Sequence, residues 1–290
     1  MSPDATSDTT IVGDGGIDVA VRSWPGTDPP PGLVFVHATG FCKEVWDPVV
    51  GELTHRGFAP PGLAIDQRGH GDSGIPPAPF RWNALGRDVT AVLAQRSGPW
   101  VGVGHSSGGT ALAMAEIDHP GTFVGLMLIE PIIFPGPHAR LEDGPMSTMA
   151  LRRRDGFDSP EAAYRNFHGK GPFARWDERA LRAYIASGLR RAGSDDWRLK
   201  CSPRAEAEFY REGNNHDTWE RLSEIGCPVV IVAGAESTSH PSAFNDALSR
   251  QLRSVHSITV PHATHLVPME RPAHVAELII AFVGRLDDRH

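Results

Sequence analysis

The sequence is short of several things, and each shortage removes a class of answer. Its 290 residues contain three cysteines, Cys42, Cys201 and Cys227, an odd and widely spaced set. They form neither a disulfide framework nor a CxxC or Cys/His zinc pattern, which makes a reduced cytoplasm the expected compartment. No excess of basic residues exists: the formal charge is -7, which gives nucleic acid or an anionic membrane nothing to hold. The densest basic run, Arg152-Arg153-Arg154, reads as a solvated helix face. No apolar run approaches the roughly 20 residues of a membrane helix. The polar N-terminus lacks the basic-then-apolar order of a signal peptide, and residues 1–10 read as a flexible tail. Internal repeats and low-complexity stretches are also missing.

What is present is a core-forming composition, 40% hydrophobic, and an alternation of strand and helix patterns. Thr10-Ile11-Val12 and Ile17–Trp24 read as an opening hairpin, with the second as a half-exposed edge strand. Continuous apolar runs follow at 32–36, 63–65, 100–104, 123–129 and 228–234, each the pattern of a strand covered on both faces. Helical spacers lie between most of them, so a mostly parallel central sheet with helices on both faces is expected. From about Pro131 to Asn215 prolines and short amphipathic patterns replace the strand runs. This stretch, 132–215, is expected to be a helical cap inserted between core segments 11–131 and 216–290.

The chemistry centres on Gly104-His105-Ser106-Ser107-Gly108, where an apolar strand runs into a small-residue helix start. Gly-x-Ser-x-Gly puts a serine hydroxyl on a sharp strand-to-helix turn, with glycines letting strand and helix pass closely. Ser106 is the expected nucleophile, and Ser107 is cast as a backbone N–H donor. A serine hydroxyl needs a base, and the base needs an orienting group. His265, in the loop between the last strand and the closing helix, is the expected base; His262 lies nearer the strand end.

With these residues in hand the chain resembles an α/β-hydrolase. The resemblance rests on His37-Ala38-Thr39-Gly40-Phe41, Asp66–Gly74, Gly104–Gly109 and His265–Pro272, in the family's order along nearly the whole chain outside tail and cap. It implies an oxyanion hole of backbone N–H groups from Ser107 and from the loop after the third strand. Ala38 stands where family loops usually carry glycine, and Thr39 falls at the donor position. The family commonly places its acid after the strand that follows the cap, but Gly234-Ala235-Glu236-Ser237-Thr238-Ser239-His240 offers Glu236 as its only carboxylate. The other family location is the end of the strand after the nucleophile helix, where Glu130 stands. A carboxylate ending so apolar a strand needs a partner, so Glu130 is the favoured acid and Glu236 the alternative. A glutamate there resembles the arrangement in some lactonases of the fold.

Serine at the nucleophile position points to acyl transfer rather than the aspartate chemistry of dehalogenases and epoxide hydrolases. The expected function is hydrolysis of a carboxylic ester or lactone of a hydrophobic small molecule, with no metal and no organic cofactor. Phe41, Phe134, Trp176, Trp197 and Trp219 are the candidates for substrate contact. Carbon–carbon bond hydrolysis, cofactor-free dioxygenation and a non-catalytic ligand-binding role on the same fold stay open, as does homo-oligomer formation.

Overall fold

The computed structural model describes residues 6–27, 29 and 31–287. The chain opens with β1 (Ser7–Val12), β2 (Asp18–Trp24), β3 (Gly32–Val36), α1 (Asp47–His55), β4 (Gly62–Ile65), α2 (Asn83–Leu93), β5 (Trp100–His105), α3 (Ser107–Asp118) and β6 (Gly125–Ile129). An insertion carries α4 (Pro145–Leu151), β7 (Gly156–Phe157), α5 (Pro160–Phe167), α6 (Glu178–Ser187), β8 (Leu189–Arg191), β9 (Trp197–Leu199) and α7 (Pro203–Glu212). The core resumes with α8 (Thr218–Arg221), β10 (Val229–Gly234), α9 (Ser242–Ser249), β11 (Val255–Val260), α10 (Val267–Glu270) and α11 (Pro272–Asp287). Among the described residues no helix is long and apolar enough to cross a membrane.

The main sheet has eight strands in the order β1-β2-β4-β3-β5-β6-β10-β11. It is parallel from β4 to β11 and antiparallel only where β2 meets β1 and β4. The side-chain alternation of a strand sorts the apolar runs to two faces. Leu33, Phe35, Val101, Val103, Met127, Ile129, Val230 and Val232 join one core cluster. Val34, Val36, Leu126, Leu128, Val229 and Ile231 join the other. In β5 the positions that alternate with the valines are Gly102 and Gly104, which leaves room for α3 on that side. A Cβ on Gly104 would sit 2.6 Å from the Gly108 carbonyl oxygen, and one on Gly108 would sit 2.2 Å from that of Val36. The tight strand-to-helix crossing expected of the serine turn therefore requires both glycines.

Two expectations need correction. The tail is shorter than ten residues, because Ser7–Thr10 pair with β2 and make β1 the edge strand in place of β2; residues 1–5 lie outside the described residues. The insertion is also not purely helical. It holds a three-stranded antiparallel sheet, β7-β9-β8, whose strands of two or three residues are too short to show an alternating pattern. Its helices begin where local chemistry dictates. Ser159 and Ser202 each accept a hydrogen bond from the N–H three residues on, with Pro160 and Pro203 at the first helical position, and Asp177 caps α6.

Candidate active site

The site lies at the carboxyl edge of the parallel strands, where Ser106 and Glu130 are consecutive to the ends of neighbouring β5 and β6. His105 and Ile129 are paired across the two strands, so the next residue on each turns off the sheet side by side. Both do so with left-handed φ, 55° at Ser106 and 51° at Glu130. Neither is glycine, so both turns carry strain that surrounding bonds must hold. At Ser106 the N–H donates to the Ile129 carbonyl at 2.8 Å, while its carbonyl accepts from Thr110 N–H at 3.2 Å.

Glu130 is fully buried and its carboxylate is saturated with donors. Oε1 accepts from Gly234 N–H at 2.8 Å. Oε2 accepts from Ser237 Oγ at 2.7 Å and Ser239 Oγ at 3.2 Å. His265 Nδ1 lies 2.9 Å from Oε2, and His240 Nδ1 lies 2.8 Å from the same oxygen. Burial alone would raise the Glu130 carboxyl, but its contacts with His240 and His265 hold it well below its ordinary value of 4.5. It is an ionised acid in a dry place.

His265 is one-third exposed and reaches Glu130 because its loop packs directly on Gly234. A Cβ at Gly234 would lie 2.3 Å from the carbonyl oxygens of both Ala263 and Thr264. His105 fixes the loop from the other side, its Nε2 lying 2.8 Å from the His265 carbonyl. Burial pushes the His105 ring down to about 3, so it is neutral at ordinary pH, and the carbonyl can only accept. The proton is therefore on Nε2.

The loop after β3 is tied to the serine turn. Thr39 Oγ1 donates to Ser107 Oγ at 3.1 Å, and Gln67 Nε2 donates to the same hydroxyl at 3.0 Å. Buried His37 accepts Gln67 N–H on Nε2 at 3.1 Å, which leaves Nδ1 to donate to the Ala38 carbonyl at 2.7 Å. Burial lowers the His37 ring, in keeping with a neutral tautomer that fixes the loop's path. Thr39 and Ser107 are thus held together through their side chains.

Glu236, the alternative acid, is engaged elsewhere. Its carboxylate pairs with Arg175 of the insertion at 2.6 Å and lies 3.8 Å from His262 Nδ1. The aromatic candidates fall into separate groups. Phe41 and Trp176 meet at 5.1 Å, packed with Phe173 and Tyr184 where the insertion covers the loop after β3. Phe134 packs on His240 and Phe244, and Trp219 on Phe244. Trp197 belongs to β9 of the small sheet, under the Arg191 guanidinium, and packs against the core cluster that also holds Trp176.

Sequence reasoning passed over His240, Ser237 and Ser239 as partners of the acid, and Gln67 and His105 as supports. A signal existed for the first three: a turn rich in hydroxyls where an acid was expected is a set of donors for an acid arriving from another strand. Among the described residues Glu130, His240 and His265 are the one group of ligating atoms close enough to consider for a metal ion. Their nitrogen-to-oxygen separations of 2.8 and 2.9 Å are hydrogen-bond lengths. Ligands spread tetrahedrally around zinc at about 2 Å stand farther apart, so the group fits proton sharing and not a metal.

Comparison with known proteins accords with this architecture. The chain belongs to the α/β hydrolase family, whose sequence profile it matches over residues 33–278. A curated relative, 3-oxoadipate enol-lactonase 2 of Acinetobacter baylyi, is 25% identical over 263 residues, spanning 89% of this chain and 90% of that protein. Among solved structures, a peroxisomal α/β-hydrolase of Saccharomyces cerevisiae superposes with a TM-score of 0.80 at 20% identity, covering 96% of this chain and 87% of that one. An esterase from Thermogutta terrifontis gives a TM-score of 0.65 at 21% identity over 97% of this chain and 99% of its own. These likenesses show the shared fold.

Proposed function

We propose that the protein is a serine hydrolase that cleaves a carboxylic ester or lactone of a hydrophobic small molecule, with Ser106 as nucleophile, His265 as base and Glu130 as acid. The observation that carries this reading is the 2.9 Å contact between His265 Nδ1 and Glu130 Oε2, made beside a serine on a strained strand-to-helix turn. With Nδ1 donating to Glu130, Nε2 is free to take the Ser106 proton as Oγ attacks the carbonyl carbon. The tetrahedral oxyanion is met by the N–H groups of Thr39 and Ser107, one such donor contributing roughly 3 kcal/mol in comparable sites. His265 then protonates the leaving alkoxide, an acyl-Ser106 ester remains, and water deprotonated by His265 releases the acid.

Phe41, Phe134, Trp176 and Trp219 favour a hydrophobic acyl or alcohol group, and the enol-lactonase relative lends weight to cyclic esters. The cytoplasm is the compartment we assign, on the strength of three buried cysteines that are all free. The test is hydrolysis of a short-chain aryl ester and a panel of lactones by the purified protein, beside Ser106→Ala. Acid plus alcohol, lost in the variant, supports the reading. A ketone fragment or oxygen consumption would replace it with carbon–carbon cleavage or dioxygenation.

A further inference from the structure

We propose that Gln67 is a positioning residue for the oxyanion donors: its side-chain amide ties the loop after β3 to the first residue of α3 and so sets the distance between the Thr39 and Ser107 N–H groups. The inference rests on the Ser106-His265-Glu130 reading above. Thr39 and Ser107 are both buried. Among the described residues, neither gives its N–H to an acceptor. Ser107 opens α3, where the first N–H groups have no acceptor inside the helix, and Thr39 lies in the turn beyond β3. Buried N–H groups without an acceptor are rare. Two of them, one on each side of the serine turn, suit an oxygen that the substrate brings.

Such donors work only at the right separation, and the backbone does not fix it. Among the described residues no backbone hydrogen bond joins residues 38–41 to residues 106–108. Side chains make the link. Thr39 Oγ1 donates to Ser107 Oγ at 3.1 Å, and Gln67 supplies the second tie from a third strand. Gln67 follows the end of β4, and the sheet order there is β4-β3-β5, so its side chain reaches across the end of β3. Nε2 donates to the His37 carbonyl at 2.5 Å and to Ser107 Oγ at 3.0 Å. An amide NH2 has two donors, and here each goes to a different element. Both acceptor positions of the Ser107 hydroxyl are then taken, by Thr39 and Gln67.

Gln67 is itself held firmly. It is buried, and its own N–H donates to His37 Nε2 at 3.1 Å. On one side Asp66 accepts from the N–H groups of Lys43 at 2.7 Å and Asp72 at 2.9 Å. On the other, Arg68 donates twice to Asp88 at 2.6 Å. A tie anchored in this way acts on the transition state more than on the bound substrate, because the oxygen becomes fully charged only as the tetrahedral centre forms.

Gln67→Met tests this, because methionine fills a similar volume and donates nothing. We expect kcat to fall by about 10- to 100-fold with KM within about twofold. Ser107→Ala removes the same tie from its other end while keeping the backbone N–H, and alanine suits a helix start, so it serves where Gln67→Met does not fold. The same loss of kcat is expected, and the double variant should lose less than the product of the two single losses. An aryl trifluoromethyl ketone, whose adduct on Ser106 carries an oxyanion, gives a readout without turnover. It should bind more weakly by the same factor as kcat falls, while the acid product binds equally to variant and wild type. A rise in KM with kcat kept, or trifluoromethyl ketone binding unchanged in Gln67→Met and Ser107→Ala, overturns the proposal alone. No adduct on Ser106 of the wild type strikes the hydrolase reading, and this proposal with it.

Discussion

Glu130 joins no exposure, a left-handed backbone and an ionised carboxylate, and its substitution should separate chemistry from stability. Glu130→Gln keeps shape and loses charge, so kcat is expected to fall by at least about 100-fold, while Glu236→Gln, freeing only an exposed pair with Arg175, stays within about twofold. Steady-state kinetics on the aryl ester checks both. The pH dependence of stability has a definite sign. A carboxyl held below its unfolded value contributes fully above that value and loses the contribution as pH falls through its folded value. The stability gap between wild type and Glu130→Gln should therefore be constant from neutral pH to about 5 and shrink in more acidic solution, as urea midpoints would show. The places of Ser106, His265 and Glu130 in the fold, after β5, after β11 and after β6, were legible in the sequence because a turn motif, a loop position and an isolated carboxylate each leave a local mark. His240 was not, since Pro131, which its ring contacts, is 109 residues distant in the chain and no periodicity records such a pair.

The turn after β10 shows the same logic in a longer stretch. Gly234, Ser237 and Ser239, all in this one turn, donate to the carboxylate of Glu130 at the end of the neighbouring strand. Gly234 has a second duty, as the floor under the His265 loop. Gly234→Ala would drive a Cβ against two carbonyl oxygens at 2.3 Å, and because backbone cannot yield as a side-chain tip does, the loop must lift. Expected are a fall in kcat/KM of more than about tenfold and a lower melting temperature, read by kinetics and calorimetry together. The strands carrying these turns were readable from their unbroken apolar runs. The short strands of the insertion were not, because two or three residues cannot display a period.

In the molecule as a whole, the insertion is anchored to the core by polar contacts as well as aromatic ones. Arg153 Nη1 donates to Glu206 Oε2 at 2.7 Å, its other nitrogen meets the Tyr184 hydroxyl, and that hydroxyl donates to the Gly40 carbonyl at 3.3 Å, on the loop beside the serine turn. Glu206→Gln leaves the mostly buried Arg153 charge without its partner. Such a loss is expected to cost about 2 kcal/mol of stability, less than for a fully buried pair, and to raise KM by loosening the cover over the loop; denaturant titration and substrate saturation measure the two. That the insertion exists was legible from the end of the strand runs. How it docks was not, since the contacts join residues from distant parts of the chain.

All of this turns on whether Ser106 Oγ becomes covalently acylated. Intact-mass spectrometry of the protein quenched during turnover of an aryl ester, or after reaction with a serine-directed fluorophosphonate, answers it. One adduct mapped to Ser106, absent from Ser106→Ala and slowed in Glu130→Gln, is the predicted result. Turnover of the ester with no adduct on Ser106 under either condition would contradict it.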